Sequence, residues 1–467
     1  MFYDWGWIML EDVIRDKCAV FGIWGVEKAS EYAYVALNIM QHRGQEHTGI
    51  VTRSKTKFYK QHGRGIVNDV FSDEDLKELK GRAAIGHNRY STQGGSSDEN
   101  AQPYLRGDVA VAHNGEFANY KSQKRRLLEQ GCIFSTTSDT EIVLHTFARS
   151  KALKIEDKIF DSFKDLQPAY SIVMLTKNEL IGIRDPSGVR PLVLGRLQSG
   201  TYVLASETVA FDIIDAKYDR EIKPGELVVI NDSGVKSIQL FEKKENLPCI
   251  FEHIYFSRPD SFVFGSNVTN SIIRQWWGGQ LYREDPIESD VVMAVPDSSN
   301  DIALGYSKET YRVNRGIPFE FGFIRSHYIG RTFIEPTQAV RDVKVRKKFN
   351  PNRSVIEGKR VIVVDDSIVR GTTTKKIVKL LRRFGAKEIH LRISSPPYRN
   401  SCYLGIDTPK RKELIAYKAG STEEVRRFIG ADSLKYLSMD GLLANPFLAQ
   451  KGYCTHCFDG IVKINRD

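Results

Sequence analysis

Residues 361–374 read VIVVDDSIVRGTTT, and no other stretch limits the fold of this chain so tightly. Val361 to Val364 form an unbroken apolar run, the mark of a strand buried on both faces. Such strands sit in parallel sheets covered by crossover helices, not in antiparallel sheets with one wet face. Thr373 to Phe384 follow, apolar at Ile377, Leu380, Leu381 and Phe384, which predicts an amphipathic helix stopped by Gly385. A second buried run, Val291 to Val295, supplies a parallel neighbour. The strand end presents Asp365 and Asp366 at the carboxyl edge of the sheet, where ligands bind in such folds. The loop Ser367 to Thr373 offers hydroxyls, backbone N–H groups and a close-approach Gly371 at a helix N-terminus, a ready anion site. Adjacent acids beside an anion cradle suit sugar hydroxyls or a hydrated Mg²⁺. The blander alternative is a generic strand–loop–helix with solvated aspartates.

The remainder of the chain sets the context. Its 467 residues suffice for two or three domains, and 41% hydrophobic with 27% charged residues is an ordinary globular balance. The net charge of +10 is spread along the chain, so phosphorylated metabolites fit it as well as nucleic acid does. No apolar run reaches membrane-spanning length. The apolar start, Met1 to Leu10, lacks a basic flank and runs into Glu11 and Asp12, so it makes a poor signal peptide. A cytoplasmic chain without membrane or nucleic-acid partners is expected. Short alternating runs such as Ala110 to His113 and Tyr202 to Ala205 fill the first half, with helices predicted at Glu31–Met40 and Ser138–Arg149. They read as a layered α+β domain on antiparallel sheets. The charged stretch Phe241 to Asn246, followed by Leu247-Pro248, marks the boundary, so the expected units are 1–17, 18–245 and 246–467.

Four motifs follow Cys18 in order: HRGQE (42–46), GHNRYST (86–92), AHNGEFAN (112–119) and TSDTE (137–141). Each is weak alone. A lone cysteine is usually a small buried hydrophobe, Arg89 could be a surface ion pair, and Asn114-Gly115 could be a hairpin turn. Together they closely resemble the N-terminal-nucleophile glutamine amidotransferases, which have an αββα layered fold. The resemblance implies that Cys18 is the nucleophile, that the Asn114 side chain and the Gly115 N–H form an oxyanion hole, and that Arg89 and Asp139 hold the α-carboxylate and α-amine of glutamine. Arg43 and Thr92 would support that glutamine site. Cys18 acts in this way only once residues 1–17 are removed, and the leader resembles the short autocatalytic propeptides of the family. Its free α-amine, with a pKa near ~7.7–8.0, would then accept the proton. Translation from Met9 would give a shorter leader. Asn88 and His47-Thr48 depart from the family pattern between its key positions.

The stretch 361–374 closely resembles the phosphoribosylpyrophosphate (PRPP) signature of type I phosphoribosyltransferases, an α/β fold with a parallel sheet. That resemblance implies that Asp365 and Asp366 hold the ribose hydroxyls, while Ser367, Arg370, Gly371, Thr372 and Thr373 hold the 5′-phosphate. Val295 to Ser299 looks like the pyrophosphate loop of that family. Ser299, with Ser298 nearly as suitable, would then stand with Asp365 and Asp366 on the Mg²⁺ side. Between that loop and the 361–374 stretch, Arg325 to Asn352 is basic and poorly periodic, a solvated loop, a nucleic-acid patch or a lid over pyrophosphate.

Of six cysteines, Cys454 and Cys457 form the only close pair, with Cys249 and Cys402 available in the same half and Cys132 left as a core residue. Their flanking strings resemble the iron–sulfur branch of the amidotransferases, in which four such cysteines hold a 4Fe–4S cluster; zinc would accept the same thiolates. The tail CFDGIVKINRD differs from that branch. Fused in this order, the two halves resemble the glutamine–PRPP amidotransferase family. Membership implies transfer of the glutamine amide nitrogen to PRPP at the first committed step of purine synthesis. It also implies a homotetramer and inhibition by purine nucleotides such as AMP, GMP and ADP. A PRPP-sensing regulator without turnover is the competing reading, and the intact glutaminase motifs speak against it.

Overall fold

The computed structural model describes residues 18–55, 57–90, 98–325 and 349–464. The leader 1–17, Thr92 and the interior of the basic stretch, 326–348, lie outside the described residues.

The strands, in chain order, are Ala19–Trp24 (β1), His47–Arg53 (β2), Phe58–Arg64 (β3), Ala83–Arg89 (β4), Tyr104–Arg106 (β5), Val109–Gly115 (β6) and Tyr170–Leu175 (β7). Leu180–Arg184 (β8), Val193–Leu197 (β9), Tyr202–Ala205 (β10), Ala216–Glu221 (β11), Glu226–Asn231 (β12) and Gly234–Gln239 (β13) complete the first half. They form two sheets, ordered β11-β9-β10-β1-β4-β2-β3 and β13-β12-β8-β7-β6-β5. The registered pairs within both sheets are antiparallel. The period-2 alternation explains the layering. Val20 and Trp24 of β1 share one core with Ala110 and Ala112 of β6 and with Val173 and Leu175 of β7, between the sheets. Phe21 and Ile23 point the other way, onto Ala33, Ala36 and Leu37 of the helix Ala29–Ile39. Ile172 and Met174 pack outward with Ile142, Val143 and Phe147 of the helix Glu141–Arg149. The result is the expected αββα layering, and both predicted helices are present with shifted ends.

After Gln239 the chain leaves the second sheet and crosses to the other half through residues 241–248. There Val291–Ala294 (β14), Arg360–Asp365 (β17), Glu388–Ile393 (β18) and Ser433–Tyr436 (β19) form a parallel sheet in that order. Two short strands, Phe323–Arg325 (β15) and Phe349–Pro351 (β16), pair antiparallel at the ends of the basic stretch. Burial of β17 on both faces is as expected. Val361 and Val363 join Ile377, Val378 and Leu381 of the helix Thr372–Arg383, while Ile362 and Val364 join Ile273, Trp277, Ile302 and Tyr306 on the opposite side. Gly385 follows that helix with φ 85°, the left-handed stop foreseen for it. The second core does not respect the boundary in sequence: Ala169 and Val189 of the first half belong to it, beside Cys249, Leu404 and Cys457. No helix among the described residues is long and apolar enough to cross a membrane.

Two fully buried histidines make folding pH-dependent. Burial, the largest influence on each, pushes His87 down to about 3 and His253 down to about 4. Both stay neutral in the folded chain while the unfolded chain protonates them below about 6.5. Their contribution is therefore complete above that pH and is lost as pH falls towards 4. At pH 5 each should cost ~2 kcal/mol relative to neutrality. Burial raises the Asp185 carboxyl to about 6 and that of Glu221 to about 7, which acts in the opposite sense over the same window. The test is therefore a difference: between pH 7.5 and 5 the stability of a His253→Gln variant should fall by ~2 kcal/mol less than that of the wild type. An unchanged pH dependence would contradict the account.

Candidate active site

Cys18 lies immediately before β1, and register brings its neighbours to it. Ala19 pairs with Asn88 on β4, and Arg89 on β4 pairs with His47 on β2. Cys18 and Arg89 are both buried, so Arg89 is not a surface ion pair. Burial pushes the Cys18 thiol up, while the charges of Arg89 and Arg43 act to lower it and Asp139 adds to the rise. Asp139 sits just ahead of the helix Glu141–Arg149, where its Oδ2 accepts the Phe117 N–H at 2.9 Å and its Oδ1 accepts Thr140 Oγ1 at 3.3 Å. The departures at 48 and 88 are partners: Thr48 Oγ1 donates to Asn88 Oδ1 at 2.8 Å, and Asn88 Nδ2 donates to the Leu37 carbonyl at 2.7 Å.

Asn114 and Gly115 end β6 opposite Ser171 and Tyr170 of β7. Asn114 is fully buried, yet neither its Nδ2 nor its Oδ1 has a hydrogen-bond partner among the described residues. A buried amide left unpaired costs roughly 1–3 kcal/mol, so its persistence points to a group that completes it. Gly115 adopts φ 141°, and a Cβ there would lie 2.2 Å from the Ala169 carbonyl oxygen. No side chain fits there. Gly405, from the second half, packs so closely on this turn that its own Cβ would fall 2.9 Å from the Gly115 carbonyl carbon.

At the carboxyl edge of the parallel sheet, the two predicted elements meet. Ser298 Oγ donates to Asp366 Oδ2 at 2.6 Å, Ser299 Oγ donates to Asp365 Oδ1 at 3.3 Å, and Ser367 Oγ donates to Asp366 Oδ1 at 2.6 Å. Burial pushes the Asp366 carboxyl up, against these hydroxyls and the Arg274 charge. Gly371, with φ 76°, caps the helix that begins at Thr372. Arg370 Nη2 donates to Glu413 Oε2 at 3.0 Å, at the far side of that loop. Arg325, at the end of β15, pairs with Asp297 of the 295–299 loop.

Between the two sites runs a buried polar network. Arg43 Nε donates to the Cys18 carbonyl at 3.2 Å, its Nη1 to Glu207 Oε1 at 2.6 Å, and Nη1 and Nη2 to both oxygens of Glu252 at 3.0 and 3.1 Å. Burial opposes the Arg43 charge, but Glu252 and Glu207 outweigh it and hold the guanidinium more firmly protonated than usual. Ser257 Oγ donates to Glu252 Oε2 at 3.1 Å, and the Ser257 carbonyl accepts Arg274 Nη2 at 2.9 Å. Arg274 in turn lowers Asp366. Motif reading missed Glu207 and Glu252. Their signal was faint: Glu207 directly follows the strand run YVLAS, and Glu252 sits among apolar residues in CIFEHIYF.

The four cysteines of the second half converge, and all are free thiols. Cys249 and Cys454 form a parallel bridge, Cys454 N donates to the Pro248 carbonyl at 2.8 Å, and the Cys457 carbonyl accepts Arg399 N and Asn400 N at 2.9 and 3.0 Å. Cys402 Sγ accepts Leu404 N at 3.3 Å. Burial pushes Cys402 up to about 11 and Cys454 up to about 12, and in each case Cys249 adds to the rise. Cys457 is raised by burial and by all three others. No group of three or more His, Cys, Asp and Glu side chains among the described residues is arranged to hold a metal ion. Cys132 is half-buried at the edge of the first-half helical core.

Known proteins show the same two halves. A family profile described as a glutamine amidotransferase domain matches residues 87–212, and one described as a phosphoribosyl transferase domain matches residues 275–414. Amidophosphoribosyltransferase 1, chloroplastic, of Arabidopsis thaliana is 51% identical, covering 96% of this chain and 78% of its own length. Amidophosphoribosyltransferase of Bacillus subtilis is 46% identical, covering 96% of this chain and 94% of its own. A solved structure described as glutamine PRPP amidotransferase from B. subtilis complexed with ADP and GMP superposes with TM-score 0.89 at 44% identity, over 96% of this chain and 98% of that one.

The network sets a stability test. Glu252→Gln would leave buried Arg43 facing a neutral amide, and breaking a buried pair typically costs ~3–5 kcal/mol. Denaturant unfolding of the full chain should show a loss of that order. A loss below about 1 kcal/mol, the range of an exposed pair, would contradict the arrangement.

Proposed function

The chain belongs to the amidophosphoribosyltransferase family, and from that premise we propose how its two halves divide the work. Its reaction takes glutamine, PRPP and water to 5-phosphoribosylamine, pyrophosphate and glutamate, the first committed step of purine (IMP) biosynthesis. We assign residues 18–245 to glutamine hydrolysis and 246–467 to phosphoribosyl transfer, with 1–17 removed as a propeptide so that Cys18 gains a free α-amine.

The orphaned amide of Asn114 carries the assignment of the first half. Cys18 Sγ, with its proton passed to the α-amine, attacks the glutamine amide carbon. Asn114 Nδ2 and the Gly115 N–H receive the oxyanion, which gives the buried, unpaired Asn114 Nδ2 a partner. Arg89 pairs with the substrate α-carboxylate and Asp139 with its α-ammonium group, while Arg43 fixes the Cys18 carbonyl and Thr92 supports the glutamine site. The Cys18 α-ammonium returns that proton to the departing nitrogen, so collapse of the oxyanion expels ammonia, and water then hydrolyses the thioester. Ammonia must reach the ribosyl C1 without becoming ammonium in bulk water. Close packing of Gly405 against the Gly115 turn supports a short, closed route across the domain junction.

In the second half, Asp365 and Asp366 bind the ribose hydroxyls, and the loop of Ser367, Arg370, Gly371, Thr372 and Thr373 receives the 5′-phosphate at the helix N-terminus. Asp365, Asp366 and Ser299 are the residues that would hold Mg²⁺, which supplies charge neutralisation to the departing pyrophosphate. The hydrogen bonds of Ser298 and Ser299 to the two aspartates support that grouping, since they already gather the oxygens a hard cation takes. Cys249, Cys402, Cys454 and Cys457 suit a 4Fe–4S cluster. They are free thiols, Cys249 and Cys457 buried and Cys402 and Cys454 half-buried, and each iron of a cluster takes its own thiolate. Purine nucleotides (AMP, GMP, ADP) are the proposed inhibitors, the B. subtilis structure having been solved with ADP and GMP. A cytoplasmic homotetramer is the proposed form.

Separate sites make distinct predictions for glutamine and for added ammonia as nitrogen source. Cys18→Ala should abolish glutamine-dependent phosphoribosylamine synthesis and leave ammonia-dependent synthesis within about twofold. Asn114→Ala should lower glutamine-dependent kcat by ~10²–10³. Asp366→Asn should depress both activities together. Equal loss of both activities in Cys18→Ala, with the fold intact by circular dichroism, would overturn the division of labour.

A further inference from the structure

The segment that enters β5 grips the Asp139 loop and the oxyanion strand together. Asn100 Nδ2 donates to Thr137 Oγ1 at 2.9 Å, and Asn100 Oδ1 accepts Thr137 N at 3.1 Å. Gln102, which is buried, reaches both places with one side chain. β5 pairs Tyr104 with Val111 of β6, and carrying that register back two residues sets Gln102 opposite His113. The Gln102 carbonyl is turned to β2, so close that a Cβ on Gly49 would lie 2.3 Å from it. The side-chain Oε1 takes the His113 N–H instead, at 2.8 Å, and Nε2 donates to Thr140 Oγ1 at 3.1 Å. This amide orientation is fixed by chemistry, because a backbone N–H can only donate.

Thr140 precedes the helix Glu141–Arg149, but its hydroxyl does not cap that helix. The residue is fully buried, so the hydroxyl must find its partners in the interior. It accepts from Gln102, and within reach of its own proton are Asp139 Oδ1 at 3.3 Å and His113 Nδ1 at 3.0 Å. His113 stacks on Phe117 with ring centroids 4.7 Å apart, and the Phe117 N–H holds Asp139 Oδ2 at 2.9 Å. Burial pushes His113 down, so its neutral ring can present Nδ1–H to the hydroxyl and leave the Thr140 proton for Asp139. One chain of hydrogen bonds then runs from β6 through Gln102 and Thr140 to the Asp139 carboxylate.

We propose that Gln102 and Thr140 are positioning residues for glutamine hydrolysis: they hold Asp139 at a set distance from the oxyanion strand, and so set the span a substrate bridges between its α-ammonium group and its amide carbonyl. The inference rests on the glutaminase reading above. The two residues act through Asp139 and through β6, and substrate choice separates these paths. Loss of the Thr140 hydroxyl releases Asp139, which matters only to a substrate that carries an α-ammonium group. Loss of the Gln102 amide also releases the His113 N–H, which disturbs the oxyanion strand for any amide.

The test follows ammonia release by the full-length protein from two substrates, glutamine and 4-carbamoylbutanoate, which is glutamine without its α-amine. Circular dichroism checks the fold of each variant. Thr140→Val, an isosteric change, should lower kcat/KM for glutamine ~10²-fold and leave the analogue within about threefold. Thr140→Ser keeps the hydroxyl and should stay within about threefold on both. Gln102→Met should lower both. If the wild type turns over the analogue too slowly to follow, its inhibition constant against glutamine replaces the rate, with the same ratios expected. Equal loss on the two substrates in Thr140→Val would reduce the hydroxyl to packing support and overturn the proposal, as would no loss on glutamine. If Thr140→Val does not fold, Thr140→Ala takes its place with the same expectation; if Gln102→Met does not fold, the Thr140 variants decide. Wild-type protein that hydrolyses no glutamine would overturn the glutaminase reading itself.

Discussion

A single buried guanidinium, that of Arg43, ties Cys18, the proposed nucleophile, to the framework of the other half. It holds the Cys18 carbonyl, Glu207 of the same half and Glu252 of the second half. Buried ion pairs seldom add much net stability, because desolvation consumes most of the Coulombic gain. Their strength lies in intolerance: neither partner can move without leaving a charge unpaired in a dry core. Glu207 extends the constraint through Ser261 Oγ at 2.7 Å and Arg258 N at 3.0 Å, both on the far side of the junction. The two halves therefore meet in one register.

Each half solves a different problem with the sheet type that suits it. Amide hydrolysis needs a nucleophile, an oxyanion site and two charged anchors from distant parts of the chain. Antiparallel pairing of β1, β4 and β2, with β6 on the facing sheet, brings the residues proposed for these roles to one end of the sandwich. Phosphoribosyl transfer needs an anion cradle beside carboxylates, which the carboxyl edge of a parallel sheet provides through β17 and the turn into the next helix. The second core then runs across the boundary, taking in Ala169 and Val189, so the domains share apolar packing as well as charge.

Much of this was legible in the chain because it rests on local pattern. The run Val361 to Val364 announces a strand covered on both faces, and the spacing of Ile377, Leu380 and Leu381 announces the helix after it. Strand alternation in the first half likewise predicts a sandwich. What was not legible depends on long-range proximity. Glu252 and Glu207 are ordinary charged residues in sequence and become the junction only in three dimensions. Asn114-Gly115 read alone suggests a turn, and its unpaired buried amide is visible only in the fold. Asn88 and Thr48 look like unrelated departures until register places them opposite each other. The grouping of the four cysteines came from the resemblance of their flanking strings, and the backbone bonds around them could not be foreseen.

If the junction makes one reaction vessel of two sites, nitrogen released at Cys18 should reach the ribosyl carbon without mixing with solvent. The most direct measurement is isotopic: supply amide-¹⁵N glutamine and PRPP with an excess of unlabelled ammonium near neutral pH, and follow the label in trapped phosphoribosylamine. A closed route predicts product that keeps the glutamine label almost undiluted. Product whose label falls in proportion to the added ammonium would contradict it, and would mean that the two sites share a chain without sharing an intermediate.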